Sequence, residues 1–267
     1  MTTALFELST SLPGRLNELN RLVDHARIIE GKDESLYNSL CRATSVLLAA
    51  HLEGFLKGIT SGLVDDLNDR IGNFANMPSV MQRSFCERIA HFEGVPEKEV
   101  KQRVRQLTEF FKKNSVPIDM KAFTYKENSN KNPTSAVIDA AMEKVGVPNI
   151  VSSMSGGLFD IVFNNDNNST WILRKKLKSL RSRLHTYPYR HLPSEFKFEF
   201  RKTEASSTLW HVFIDDIMTR RHSVAHGDTL ENDTDALSLQ RDIIKLEVLM
   251  HGLLYAAATY VAAPRVS

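Results

Sequence analysis

The sequence predicts an all-α protein, a helical bundle with an irregular, basic insert at about 155–205. Three observations carry this. Apolar residues recur every three to four positions through most of the 267 residues. Capping residues and Pro/Gly punctuation stand where those periodic stretches begin and end. Only LFDIVF at 158–163 and the alternating EFKFEF at 195–200 read as short strands, and neither is long enough to found a sheet.

Taken in order, Leu12, Leu16, Leu19, Leu22 and Val23 predict a first helix that ends near Gly31. Asp33 is placed to cap a long second helix through Leu36, Leu40, Leu47, Leu48, Leu52, Phe55 and Leu56. Its stretch 45–50 is apolar or small on nearly every face, which makes it a central helix. GNFANMP at 72–78 reads as a turn, followed by helices at about 79–91 and 96–113. The second of these opens at Pro96, with Glu97 and Glu99 suiting the positive end of its dipole. After the polar loop KENSNKNP, Asn132 and Pro133 are expected as N-cap and first residue of a helix that Gly146 closes. A helix from about Ser206 to His226 and a last one from about Asp233 to Ala262 complete the chain. No internal repeat is found, and the 267 residues read as a single domain.

Composition excludes several classes. Hydrophobic residues at 42% and charged residues at 25% are those of an ordinary globular chain, not a disordered one. The longest apolar run, Val248 to Ala263, is broken by His251, Gly252 and Thr259 and is too short to span a membrane. The N-terminus lacks the basic-then-apolar pattern of a secretory signal. With Cys41 and Cys86 as the two cysteines, a disulfide scaffold and a cysteine zinc site are excluded, and a reducing cytoplasm is the expected location. The net charge of +2 conceals an asymmetry: residues 174–202 hold ten Lys or Arg against Glu195 and Glu199. Arg174, Lys175, Lys178, Arg181 and Arg183 are therefore candidate RNA-phosphate contacts, and a solvated basic helix is the plainer alternative. His185 and His191 lie there among Tyr187 and Tyr189, a combination suited to RNA but also common in exposed loops.

The chemistry-bearing segment is 214–228, Ile-Asp-Asp-Ile-Met-Thr-Arg-Arg-His-Ser-Val-Ala-His-Gly-Asp, at the end of an amphipathic helix. Trp210, Phe213, Ile214, Ile217, Val224 and Ala225 mark its buried face, and Arg221 continues that line. An arginine there must be paired or face a cleft. Gly227 is a plausible helix stop after His226. Five residues apart, Arg221 and His226 are separated by about 140° on an ideal helix, so one helix does not easily aim both at one atom. Two copies about a dimer axis could.

The segment Arg221-His-Ser-Val-Ala-His226-Gly resembles the signature of the HEPN superfamily, an arginine and a histidine separated by four to six residues. The upstream LLAAHLEGFLKGI at 47–59 and NKNPTSAVIDAAMEKVGV at 130–147 resemble its RiboL-PSP-HEPN-like branch, in the expected order. The basic insert has no recognised counterpart there. A chain with 18 Arg and 9 His yields a permitted Arg–His spacing about twice by chance, so the context carries the signal. Here the spacing occurs only for Arg220 and Arg221 with His226, and Arg221 is preferred for its polar successor and its place on the apolar line.

The resemblance implies an all-helical domain that dimerises so that the two motifs face each other, and a metal-independent endoribonuclease without a cofactor. Arg221 would hold the scissile phosphate, His226 would handle the proton and His222 would assist, leaving 2′,3′-cyclic phosphate and 5′-hydroxyl ends. Those residue types suit the task, since histidine titrates near neutrality and arginine offers a fork of donors to phosphate oxygens. Asp215 or Asp216 is expected to orient Arg221. Glu53, on an otherwise apolar helix, fits the family's pattern and also suits a structural partner for a buried arginine. RNA is the expected partner, together with a second copy of the chain and an antitoxin or sensor subunit of the kind found with toxin or phage-defence nucleases.

Alternatives stand beside each assignment. Arg221 can simply bridge Asp215, Asp216 or Glu53 within the bundle. His226 suits a helix C-terminus through the dipole alone. His222 and His226 have the i, i+4 spacing of a metal pair, but the segment lacks the glutamate of the H-E-x-x-H motif and an obvious third ligand. A non-catalytic module binding RNA, nucleotide or protein is the competing function.

Overall fold

The computed structural model describes residues 2–68, 71–77, 79–92, 94–118, 134–200, 207–226 and 234–262. Eight α-helices are found among them: α1 (Ala4–Ile29), α2 (Glu34–Asn68), α3 (Ser79–Ala90), α4 (Glu97–Lys113), α5 (Ser135–Lys144), α6 (Asn167–Ser179), α7 (Leu209–His226) and α8 (Ala236–Ala262). Among the described residues there is no β-strand, only one isolated bridge between Asn73 and Pro117. The all-α reading holds.

Helices α1, α2 and α8 form the centre, with α7 packed against α2. The long α2 buries residues on most of its circumference, as its apolar sequence requires, and Asp33 accepts the Leu36 N–H at 3.0 Å. Close approach of α1 to α2 depends on glycine: a Cβ at Gly58 would stand 2.7 Å from Leu8 Cδ1, and one at Gly62 would stand 3.1 Å from Leu5 Cδ2. The start of α1 is fixed by Asp66 near the end of α2, which accepts from the Ala4 and Leu5 N–H groups at 2.6 and 3.1 Å. Helices α3 and α4 pack as a hairpin, with Phe74 of the 74–76 turn stacked edge-on against Phe111. Pro96 is the N-cap of α4 and lies just outside it.

The segment 155–205 differs from expectation. Its described part is ordered and knitted into the core. It contains α6, whose Leu173 and Leu177 are buried, followed by a 3-10 turn at 180–184 that buries Leu180 and Leu184. LFDIVF is a 3-10 helix, with Phe159 and Val162 buried three residues apart, as that helix demands. EFKFEF begins in a turn and pairs with no strand among the described residues: Phe196, Phe198 and Phe200 turn inward and Glu195, Lys197 and Glu199 outward. Phe159 lies 5.2 Å from Phe198, and Phe200 lies 4.8 Å from Tyr260 of α8. Tyr189, expected as an RNA-facing aromatic, is buried and donates to Asp66 at 2.7 Å.

No described helix is long and apolar enough to cross a membrane. Cys41 and Cys86 are buried free thiols, and burial raises both pKa values.

Candidate functional site

Helix α7 sets the geometry. Trp210, Phe213, Ile214, Ile217 and Met218 bury its N-terminal two-thirds, with Trp210 edge-on to Phe163 at 4.7 Å. The buried face stops there. Val224 is only partly buried and Ala225 is exposed, contrary to the expectation that both continue it. The last turn projects from the core.

Two adjacent arginines then diverge by about 100°, the rotation per residue of an α-helix. Arg220 turns toward α8, where its guanidinium meets Asp242 at 2.7 Å and Asp216 at 2.9 Å, and its side chain is 18% exposed. Arg221 turns toward α2, where Nη1 lies 3.4 Å from Glu53 Oε2, and its side chain is 31% exposed. Glu53 is shared with Lys57 at 3.1 Å. Arg220 is thus the arginine tied into the bundle, and Arg221 is the more accessible one. The sequence-based preference for Arg221 assigned it to the continuing apolar line, whereas its access to solvent and to Glu53 now distinguishes it.

His222 and His226 are both exposed, with ring centroids 4.2 Å apart. They form a pair of imidazoles at the open end of α7. Gly227 lies outside the described residues, as do Asn132 and Pro133. Among the described residues, no group of three or more His, Cys, Asp or Glu side chains is placed to hold a metal ion.

Asp215 and Asp216 serve other partners than the expected Arg221. Asp215 accepts from the Ser135 backbone N–H at 2.8 Å and from its hydroxyl at 3.0 Å. Thr134, the N-cap of α5, makes no side-chain cap bond, so the carboxylate from α7 fills that role. Asp216 pairs with Arg220 one turn on. A second tie from α7 to α5 joins His211 to Asp139 at 3.6 Å. Arg221 pairs instead with Glu53, which the sequence had also singled out.

The hollow beside Glu53, between α2 and α5, has a volume of only about 20 Å³ and is lined by Leu56, Ile138 and Met142 among others. That is room for a water molecule, not for a nucleotide. A substrate of Arg221 and the histidines would therefore lie across the exposed end of α7.

The basic candidates divide. Arg174 and Lys178 both reach Glu247 of α8, at 2.5 and 2.9 Å, and Glu247 is only 2% exposed. Lys175 lies over the exposed Trp171 ring at 5.3 Å. Arg183 donates to the His191 carbonyl at 3.3 Å. Arg181 makes no ion pair among the described residues and lines two adjoining hollows. Glu247 and His251 were missed as site residues. Their signal was present as two polar residues, one helical turn apart, in the otherwise apolar stretch 246–258 of α8.

The profile of the RiboL-PSP-HEPN family matches residues 11–256, a range that includes the basic segment and both ends of the α7 site. No curated protein and no solved structure gives a significant match. The family contains ribonucleases, and the helical architecture with Arg221, His222 and His226 on α7 is consistent with it. The chain therefore belongs to the RiboL-PSP-HEPN family of the HEPN superfamily.

Proposed function

We propose that the chain is a metal-independent endoribonuclease that works as a homodimer in the cytoplasm, in the manner of toxin or phage-defence nucleases. One observation carries this reading: Arg221, paired with Glu53, and the exposed His222–His226 pair occupy the C-terminal end of α7, past its buried face. Within a single copy, Arg221 is turned to α2 while the two imidazoles face solvent. Bringing a second α7 against the first would set an arginine and histidines on both sides of one phosphodiester.

The reaction then needs no other group. His226 accepts the proton of the ribose 2′-hydroxyl as its oxygen attacks phosphorus. Arg221 donates to the non-bridging oxygens as charge builds on the phosphorane. The bond from phosphorus to the 5′-oxygen breaks, and a protonated imidazole, His222 or the second copy's His226, gives that oxygen its proton. Products are a 2′,3′-cyclic phosphate and a 5′-hydroxyl. The exposed cations Lys175 and Arg183 would add affinity for the RNA backbone without sequence choice. Expression of the wild-type chain is expected to arrest growth, with His226→Ala relieving it. Arrest by both chains alike would count against this site.

The Arg221–Glu53 ion pair also suits a second reading, in which Arg221 is structural and the chain is a non-catalytic module binding RNA, nucleotide or a protein partner. That reading predicts RNA binding without cleavage. A neighbouring antitoxin or sensor subunit is compatible with either reading.

A further inference from the structure

A second site stands apart from α7. Between α1, α6 and α8 lies a pocket of about 180 Å³, lined by Asn17, Asn20, Arg174, Lys178, Arg181, Glu247 and His251, among others. None of its lining residues belongs to α7. Its charges are unequal: three cations face one carboxylate. Glu247 pairs with Arg174 and Lys178, which leaves Arg181 as the cation without an ion pair among the described residues.

His251 is the second independent feature. It is 2% exposed and lines the pocket. Its Nδ1 is 2.8 Å from the Glu247 carbonyl, which can only accept, so Nδ1 carries the proton. Burial lowers the His251 pKa and outweighs the Glu247 carbonyl and carboxylate, which raise it, while the Arg181 and Lys178 charges add to the lowering. The imidazole is therefore neutral, and Nε2 presents a lone pair. That atom is buried and has no hydrogen-bond partner among the described residues. An orphaned buried acceptor is costly unless a donor meets it.

A cation beside a lone-pair acceptor selects a ligand that is both anionic and a hydrogen-bond donor. Sulfate has the charge but not the donor, and a phosphodiester group carries no P–OH of its own and only one negative charge. A phosphate monoester that keeps a P–OH, or has a sugar hydroxyl beside it, has both. Arg181 also lines an outer hollow of about 430 Å³, where Phe6 and His185 meet edge-on at 5.0 Å beside Thr10, Ser182 and Arg190. We propose that this pocket binds a phosphate monoester, with the phosphate on Arg181, a ligand hydroxyl donating to His251 Nε2, and the remainder of the ligand in the outer hollow.

The experiment is calorimetric titration of the full chain at pH 7.5 and constant ionic strength with inorganic phosphate, sulfate, ribose 5-phosphate and adenosine 5′-monophosphate. Phosphate should bind at least tenfold more tightly than sulfate, and Arg181→Gln should weaken phosphate at least tenfold. Tighter binding of the adenylate than of ribose 5-phosphate would identify a nucleotide ligand, and equal binding a sugar phosphate. Equal affinity for phosphate and sulfate, unchanged binding by Arg181→Gln, or no binding of any phosphate would overturn the proposal. Arg181 is only partly buried and has no ion pair among the described residues, so its variant tests the site even if His251→Phe fails to fold. His226→Ala should bind phosphate as the wild type does, so loss of the nuclease reading would leave this one standing.

Discussion

Arg221 of α7 and Glu53 of α2 meet at 3.4 Å, across the junction between the projecting end of one helix and the middle of the most central one. Both side chains keep about a quarter to a third of their exposure, so water screens the pair and its contribution to stability is on the order of 1 kcal/mol or less. In the proposed function its use is orientation. Glu53→Gln should leave the unfolding midpoint within a few degrees of wild type while lowering RNA cleavage about tenfold, a split that parallel melting and cleavage assays would read. Arg221→Lys should keep part of the activity, since it retains the charge and loses the guanidinium fork.

The neighbouring Arg220 should behave oppositely. Its substitution leaves Asp242, 10% exposed, with only the more distant Lys245 at 3.3 Å. Removing one partner of a buried ion pair typically costs about 3–5 kcal/mol, and partial exposure reduces this to roughly 2 kcal/mol here. Urea unfolding of Arg220→Ala against Arg221→Ala checks this. Equal stability of the two variants would mean that the assignment of structural and accessible arginines is reversed or absent.

Asp215→Ala removes the carboxylate that caps α5 at Ser135. The expected loss is about 1 kcal/mol, in the range of an N-cap deletion. Because Asp215 serves α5, cleavage per folded molecule should be unchanged. Hydrogen exchange at the first turn of α5 would locate the effect.

Stability should fall as the solution is acidified below about pH 6.5. Burial lowers the pKa values of His251 and His51 in the folded chain, so the unfolded chain takes up protons that the folded one refuses. Each such histidine contributes at most about 1.4 kcal/mol per pH unit, between its unfolded and folded pKa values. Urea midpoints at pH 7.5, 6.5 and 5.5 would show the slope, and His251→Gln should flatten it.

What the sequence revealed was local. Asp33 as a cap, the positive-φ Gly31 and Gly146 at helix ends, and the Arg–His spacing of α7 depend on neighbours within a turn or two. What it concealed depends on distant partners. Helix α6 reads as a charge run because its core contribution is the narrow line of Leu173 and Leu177. The role of Asp215 is set by Ser135, far away in the chain. Glu247 drew no notice in the sequence because its partners, Arg174 and Lys178, lie on another helix. LFDIVF is a short apolar run that suits a strand, yet it buries Phe159 and Val162 with 3-10 spacing against the core.

The central claim is that Arg221 and His226 form a metal-free ribonuclease site. The most direct measurement is cleavage of end-labelled RNA in excess EDTA by wild type, Arg221→Ala and His226→Ala at matched dimer content. The account predicts cleavage by wild type with cyclic-phosphate ends, and at least a hundredfold loss in both variants. Equal cleavage by all three chains would contradict it.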